Sequence, residues 1–170
     1  MIKALIVIDM WDKYLPGHDR FTSSLEQLSL RLASLIGRIN VPIVVASYDT
    51  PNETPNYEYP WTDTNQTIVN ALYGRHPNDT LVSWNKDEVT NFLNLHHVTD
   101  LYFAGTSFPG CVQGRELGMN NMKDNFNCHV VIDCVLNTSG CHYTEYNIIH
   151  DTYQQVLTSE LSYVHSTDLG

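Results

Sequence analysis

The chain has 170 residues, enough for one ordinary domain with a real core, and residues 1–170 read as a single domain. Nine Lys and Arg against nineteen Asp and Glu leave a net charge of −10, which repels phosphate backbones and anionic bilayers and so argues against nucleic-acid and membrane-surface functions. No stretch reaches the roughly 20 apolar residues of a membrane helix, and none of Cys111, Cys128, Cys134 and Cys141 forms a C-x-x-C pair, so free thiols in a reducing cytoplasm are expected.

The first predicted element is ALIVID, 4–9. Its apolar run is too short for a secretory leader and ends in Asp9, so it reads as a buried strand. A helix follows over 23–39, where Leu25, Leu28, Leu32, Leu35 and Ile36 recur at helical spacing. VPIVVAS, 41–47, is a second strand. Residues 49–67, rich in Pro, Asn and Thr with several aromatics, form a long loop of the kind that walls or covers a pocket.

Beyond that loop, LVSWN leads to Lys86, VTNFLNLHH (89–97) is helical, and DLYFAG (100–105) is a strand. A further helix is predicted over 112–122 and a strand over CHVVIDCV, 128–135. VLTSELSYV reads as a last short edge strand, and STDLG is expected to fray. Continuous apolar strands alternating with helices predict a three-layer α/β/α sandwich around a mostly parallel, Rossmann-like central sheet.

In such sheets ligands bind at the carboxyl ends of the strands. Asp9, Lys86 and Cys111 all fall at or just past such ends. A cysteine opening a helix feels the positive end of the backbone dipole, and a nearby ammonium favours its thiolate, a charge that Lys86 can supply. Asp9 can take the thiol proton and return it to a leaving amine. Pro109 and Gly110 let the backbone turn tightly before Cys111, aiming N–H groups at a developing oxyanion. Taken alone, a cysteine after a strand is more often a small buried hydrophobe than a nucleophile, and Lys86 in NKDEVTNF also reads as a solvated residue at a helix start.

The order of IDMW, a central Lys86 and GTSFPGCV resembles the isochorismatase-like cysteine hydrolases, the superfamily that includes nicotinamidases and N-carbamoyl amide hydrolases. The resemblance runs from Met1 to about Val135 and rests on three motifs in the right order. It implies a triad of Asp9, Lys86 and Cys111, a non-proline cis peptide at Thr106–Ser107, and oxyanion donors at the N–H groups of Ser107 and Cys111. It places a pocket aromatic at Tyr14, with Trp61 and Trp84 as further candidates for the same wall. It also implies a homo-oligomer, a dimer or tetramer, acting on a small molecule.

Several positions depart from the family pattern. Trp11 stands in the usual Gln place, Pro109 in an Asp place and Arg115 in a small-residue place. The loop that would carry a nicotinamidase-type metal motif has no histidine, and the eight histidines show no ligand spacing, so no metal and no organic cofactor are expected. Four residues past Cys111, Arg115 should lie one turn along the same face, placed to pair with a substrate carboxylate or with an internal acid.

The expected activity is therefore hydrolysis of an amide or carbamoyl C–N bond through a thioacyl-enzyme. The alternative is a non-catalytic relative whose altered flanks have made the pocket a binding or assembly module. A dinucleotide oxidoreductase is disfavoured because MWDKYLPG lacks G-x-G-x-x-G, and a cysteine phosphatase because C-V-Q-G-R is too short for a phosphate loop.

Overall fold

The computed structural model describes residues 1–10, 21–46, 65–139 and 143–170. Its strands are β1 (Lys3–Ile8), β2 (Ile43–Ala46), β3 (Thr80–Val82), β4 (Asp100–Thr106), β5 (Asn127–Leu136) and β6 (Tyr163–Val164). Its helices are α1 (Thr22–Arg38), α2 (Gln66–Leu72), α3 (Lys86–Leu95), α4 (Gly110–Gly114), α5 (Met119–Met122) and α6 (Ile148–Thr158). All pairings are parallel, in the order β3-β2-β1-β4-β5-β6.

β1 explains why this sheet needs two cores. Side chains alternate across a strand, and in ALIVI every one of them is apolar. Ala4, Ile6 and Ile8 pack on one face with Val89 and Leu93 of α3, Val112 of α4 and Met119 and Met122 of α5. Leu5 and Val7 pack on the other with Leu25, Leu28, Leu32, Leu35 and Ile36 of α1 and with Ile68 of α2. Helices thus cover both faces, as an all-parallel sheet requires.

From β1 the chain builds outward through β2 to β3, then crosses back to lay β4 against the other side of β1. The two central strands therefore feed loops running in opposite directions, which opens a crevice at their carboxyl ends. Here the strands come very close. A Cβ on Gly105 would lie 2.0 Å from the carbonyl oxygen of Ile8, and Gly105 has φ +111°, so only glycine fits.

Four regions differ from the sequence expectation, the first being α2, a helix over Gln66–Leu72 that begins within the expected 49–67 loop. The helix predicted over 112–122 is two short helices, because the chain leaves helical geometry at Arg115, which has ψ 162°. Gly114 and Gly118, both poor helix formers, flank the break. Helix α6 was not anticipated. Only Ile148, Thr152 and Val156 of its residues are buried, a narrow stripe that leaves little apolar periodicity.

The carboxyl-terminal residues are docked rather than frayed. Ser166 N–H and Oγ donate to the Asp133 carboxylate at 2.8 and 2.6 Å, Arg38 donates to the Ser166 carbonyl at 2.8 Å, and Leu169 is 1% exposed. Replacing Leu169 with Ala should therefore cost about 2–4 kcal/mol of unfolding free energy, as for a core leucine. Chemical denaturation would measure it, and a loss within about 0.5 kcal/mol would mean that the tail is not docked.

Candidate active site

Asp9 follows the last residue of β1 in a left-handed conformation, φ 48°, which aspartate tolerates better than most side chains. Its carbonyl accepts a 2.8 Å hydrogen bond from Thr106 Oγ1 at the end of β4. The turn after β1 is thus tied to the neighbouring strand, and the Asp9 side chain is 7% exposed.

Past β4 the backbone makes two cis peptides, at Thr106–Ser107 and Phe108–Pro109. Phe108 N–H donates to the Leu136 carbonyl of β5 at 2.9 Å, and Val112 N–H donates to the Ser107 carbonyl at 3.2 Å. These bonds return the chain over the sheet end and start α4 with Cys111 as its second residue. Cys111 and Asp9 thereby come close enough for each to shift the other's proton affinity, and the Ser107 backbone acts on the thiol as well.

Arg115 supplies the local positive charge. Its Nε donates to Asp9 Oδ2 at 2.8 Å, so of the two partners the sequence leaves open, the structure shows the internal acid. Trp84 joins Ile8, Asp9, Ala46, Arg115, Glu116 and Leu117 in lining a pocket at this end of the sheet. Lys86 is the first residue of α3, where the Asn85 side chain caps the helix by accepting from Glu88 N–H at 3.0 Å. Among the described residues Lys86 forms no ion pair, and the charges acting on Asp9 and Cys111 are those of Arg115 and of each other. Tyr14, Trp61, Trp11 and Cys141 lie outside the described residues, as does most of the 49–67 loop.

The protonation states follow from burial. Desolvation pushes the Asp9 carboxyl above its ordinary value, although the Arg115 charge and the hydrogen bonds from Arg115 and Cys111 pull it down. Burial, followed by the Asp9 charge, pushes the Cys111 thiol up, while Arg115 and the Ser107 N–H pull it down. The free thiolate that a helix dipole and Lys86 would favour is therefore not the resting form, and α4 is only five residues long. At Cys128 and Cys134 burial, followed by the charges of Asp100 and Asp133, outweighs the nearby cations Lys123, Arg31 and Arg38, and the thiols are pushed up to about 11 and about 12.

A link behind Cys111 escapes sequence reasoning. Ser107 Oγ lies 3.4 Å from Asn137 Oδ1, and Asn137 Nδ2 donates to Gln155 Oε1 at 3.0 Å, linking the loop before Cys111 to the end of β5 and to α6. Nothing in the spacing of Ser107, Asn137 and Gln155 reveals this contact. The glycine pair in GRELG was the available signal for the turn at Arg115. Among the described residues no group of three or more His, Cys, Asp or Glu could hold a metal ion, and no helix is long and apolar enough to cross a membrane.

No family model and no curated protein matches the chain in sequence. Solved structures do match in shape. A nicotinamidase from Bacillus subtilis superposes with a TM-score of 0.67 over 97% of this chain and 100% of its own, at 14% identity. The yeast nicotinamidase bound to the inhibitor nicotinaldehyde gives 0.60 over 96% and 100%, at 13% identity. An isochorismatase-like hydrolase from Alkaliphilus metalliredigens gives 0.56 over 98% and 93%, at 12% identity. The chain has the isochorismatase-like hydrolase fold. Within that fold Asp9 and Cys111 lie where the strand order reverses, the crevice in which open α/β sheets bind ligands.

The raised Asp9 carboxyl gives a stability test. The folded protein holds this proton more tightly than the unfolded chain, so above the ordinary carboxylate pKa of 3.8 it binds more protons than the unfolded chain does. Asp9 therefore contributes progressively less to stability as pH rises through that window. Compared with Asp9→Asn, which also tolerates the left-handed conformation, the wild type should lose unfolding free energy on going from about pH 4 to pH 7. Parallel denaturation curves at the two pH values would measure the difference, and a flat or rising difference would contradict the raised carboxyl.

Proposed function

We propose that the protein is a cysteine hydrolase that cleaves an amide or carbamoyl C–N bond of a small molecule through a thioacyl-enzyme. The observation that carries this reading is the convergence of Cys111 and the buried Asp9 carboxylate at the switch point of the sheet, where Arg115 bonds to both residues and each shifts the other's proton affinity. A thiol and a base in hydrogen-bonding reach, with the base oriented by a third group, form the general signature of an activated nucleophile.

In the proposed sequence the Asp9 carboxylate takes the thiol proton as Cys111 Sγ bonds to the substrate carbonyl carbon. The carbonyl electron pair moves onto oxygen, where the N–H groups of Ser107 and Cys111 stabilise the charge. Asp9 then gives its proton to the leaving nitrogen, the C–N bond breaks, and ammonia or an amine departs. Water attacks the thioester after losing a proton to Asp9, and Cys111 leaves as the thiol once that proton returns. Each step uses only protein groups and water.

The raised proton affinity of Asp9 suits this work, because a carboxylate that binds a proton more tightly is a stronger base toward a thiol. Trp84 walls the pocket, and the proposal extends that wall to Tyr14 and Trp61, so a flat or partly apolar substrate group is favoured. The resemblance assigns the charge of the pair to Lys86, whereas the ion pair present in the geometry is with Arg115. That several fold neighbours are hydrolases supports the reaction class. Assembly as a homo-oligomer belongs to the same proposal.

The test is incubation with small primary amides, ureas and carbamoyl compounds, following ammonia release and the intact mass of the protein. At least one compound should turn over, and Cys111→Ala should lower kcat/KM by about a thousandfold or more. Cys111→Ser should hold or abolish the acyl adduct. Absence of turnover and of any adduct across the set would favour the binding-module reading.

A further inference from the structure

We propose that Arg115, and not Lys86, is the cation that holds the Cys111–Asp9 pair poised for proton transfer. The inference rests on the reading of Cys111 as the nucleophile and adds the identity of its third partner. Its basis is the 2.8 Å contact from Arg115 Nε to Asp9 Oδ2, an ion pair whose acid is buried.

The backbone around Arg115 is built to hold that contact. Arg115 N–H donates to the carbonyl of Cys111 itself at 3.0 Å, so cation and nucleophile are one helical turn apart and joined by a backbone bond. The Arg115 carbonyl accepts from Gly118 N–H at 2.7 Å and from Asn121 Nδ2 at 2.7 Å. A Cβ on Gly118 would lie 2.7 Å from the Gln113 carbonyl oxygen and 2.9 Å from that of Arg115, so the return turn closes only on glycine. The break in the predicted helix is the device that swings the side chain back to β1. A surface arginine of an unbroken helix would have neither the turn nor the clamp.

Charge and chemistry agree with the geometry. Arg115 pulls down the proton affinity of both Asp9 and Cys111, whereas Lys86 begins α3 and forms no ion pair among the described residues. A guanidinium stays charged throughout the working range and gives up no proton. The thiol proton can then go only to Asp9, and the positive charge stays constant while it moves. A lysine in the same role would add a third titrating group to the site. Arg115 is thus a positioning residue acting through Asp9, and the pH profile is where it should be visible.

The experiment measures alkylation of Cys111 by iodoacetamide as a function of pH, resolved by peptide mass spectrometry, in the wild type, Arg115→Gln, Arg115→Lys and Lys86→Gln. Removing the cation raises the proton affinity of the coupled pair, so the apparent pKa of the profile should rise by about one unit or more in Arg115→Gln. Neutral-pH alkylation should slow by about tenfold. Arg115→Lys, which restores the charge without the planar fork, should recover at least half of the shift, and Lys86→Gln should match the wild type within about twofold.

No shift in Arg115→Gln, or a shift in Lys86→Gln as large as that in Arg115→Gln, would overturn the proposal. Thermal melting of each variant shows whether it is folded, and Arg115→Lys supplies the comparison if Arg115→Gln is not. Wild-type Cys111 that alkylates no faster than Cys128 and Cys134 would instead count against the nucleophile reading itself, a different failure from an unmoved profile.

Discussion

The site depends on how closely β4 can approach the end of β1. Gly105 admits the Ile8 carbonyl where any Cβ would collide with it, and one residue later the Thr106 hydroxyl binds the Asp9 carbonyl. Both loops then leave the sheet from one point. A carboxylate from the first and a thiol from the second meet although 102 − 1 = 101 residues separate Asp9 from Cys111. Widening the strands here would leave each group in place on its own loop and remove the contact between them.

What the approach creates is a buried acid that is unfavourable by itself. Desolvation raises the proton affinity of Asp9, and one guanidinium offsets part of that cost. The arginine comes from the chain segment that carries the thiol, so thiol, acid and cation are fastened to one another through α4 and the turn behind it. Their protons are shared, and the titration belongs to the set rather than to any one member. At Cys128 and Cys134 burial dominates over the charges nearby, so both thiols are held protonated and suit packing.

Legibility followed the range of the interactions. The buried strands showed in ALIVID, VPIVVAS, DLYFAG and CHVVIDCV because a strand covered on both faces must be apolar throughout, whatever its neighbours. Helix α1 showed in its leucine spacing for the same local reason. The 112–122 helix was misjudged because its apolar positions, Val112, Leu117, Met119 and Met122, all reach the core, but through two short helices joined by a turn. Periodicity records which residues are buried, and here that was compatible with two backbones. The tail was misjudged because Ser166 and Leu169 owe their order to Asp133, Arg38 and the core, none of them nearby in sequence.

The sequence by itself determined the fold class, the order of its strands along the chain and the position of Asp9 and Cys111 just past strand ends, since each depends on local pattern. Only the tertiary structure decided the order of strands within the sheet, the meeting of Asp9 with Cys111 and the pairing of Arg115 with the acid. Those depend on a backbone approach of van der Waals dimensions and on a burial that sets the charge of every group around it. Lys86 and Arg115 carry the same formal charge in the sequence. Placement separates them: one begins a helix, while the other is turned back by Gly118 and Asn121 onto the carboxylate.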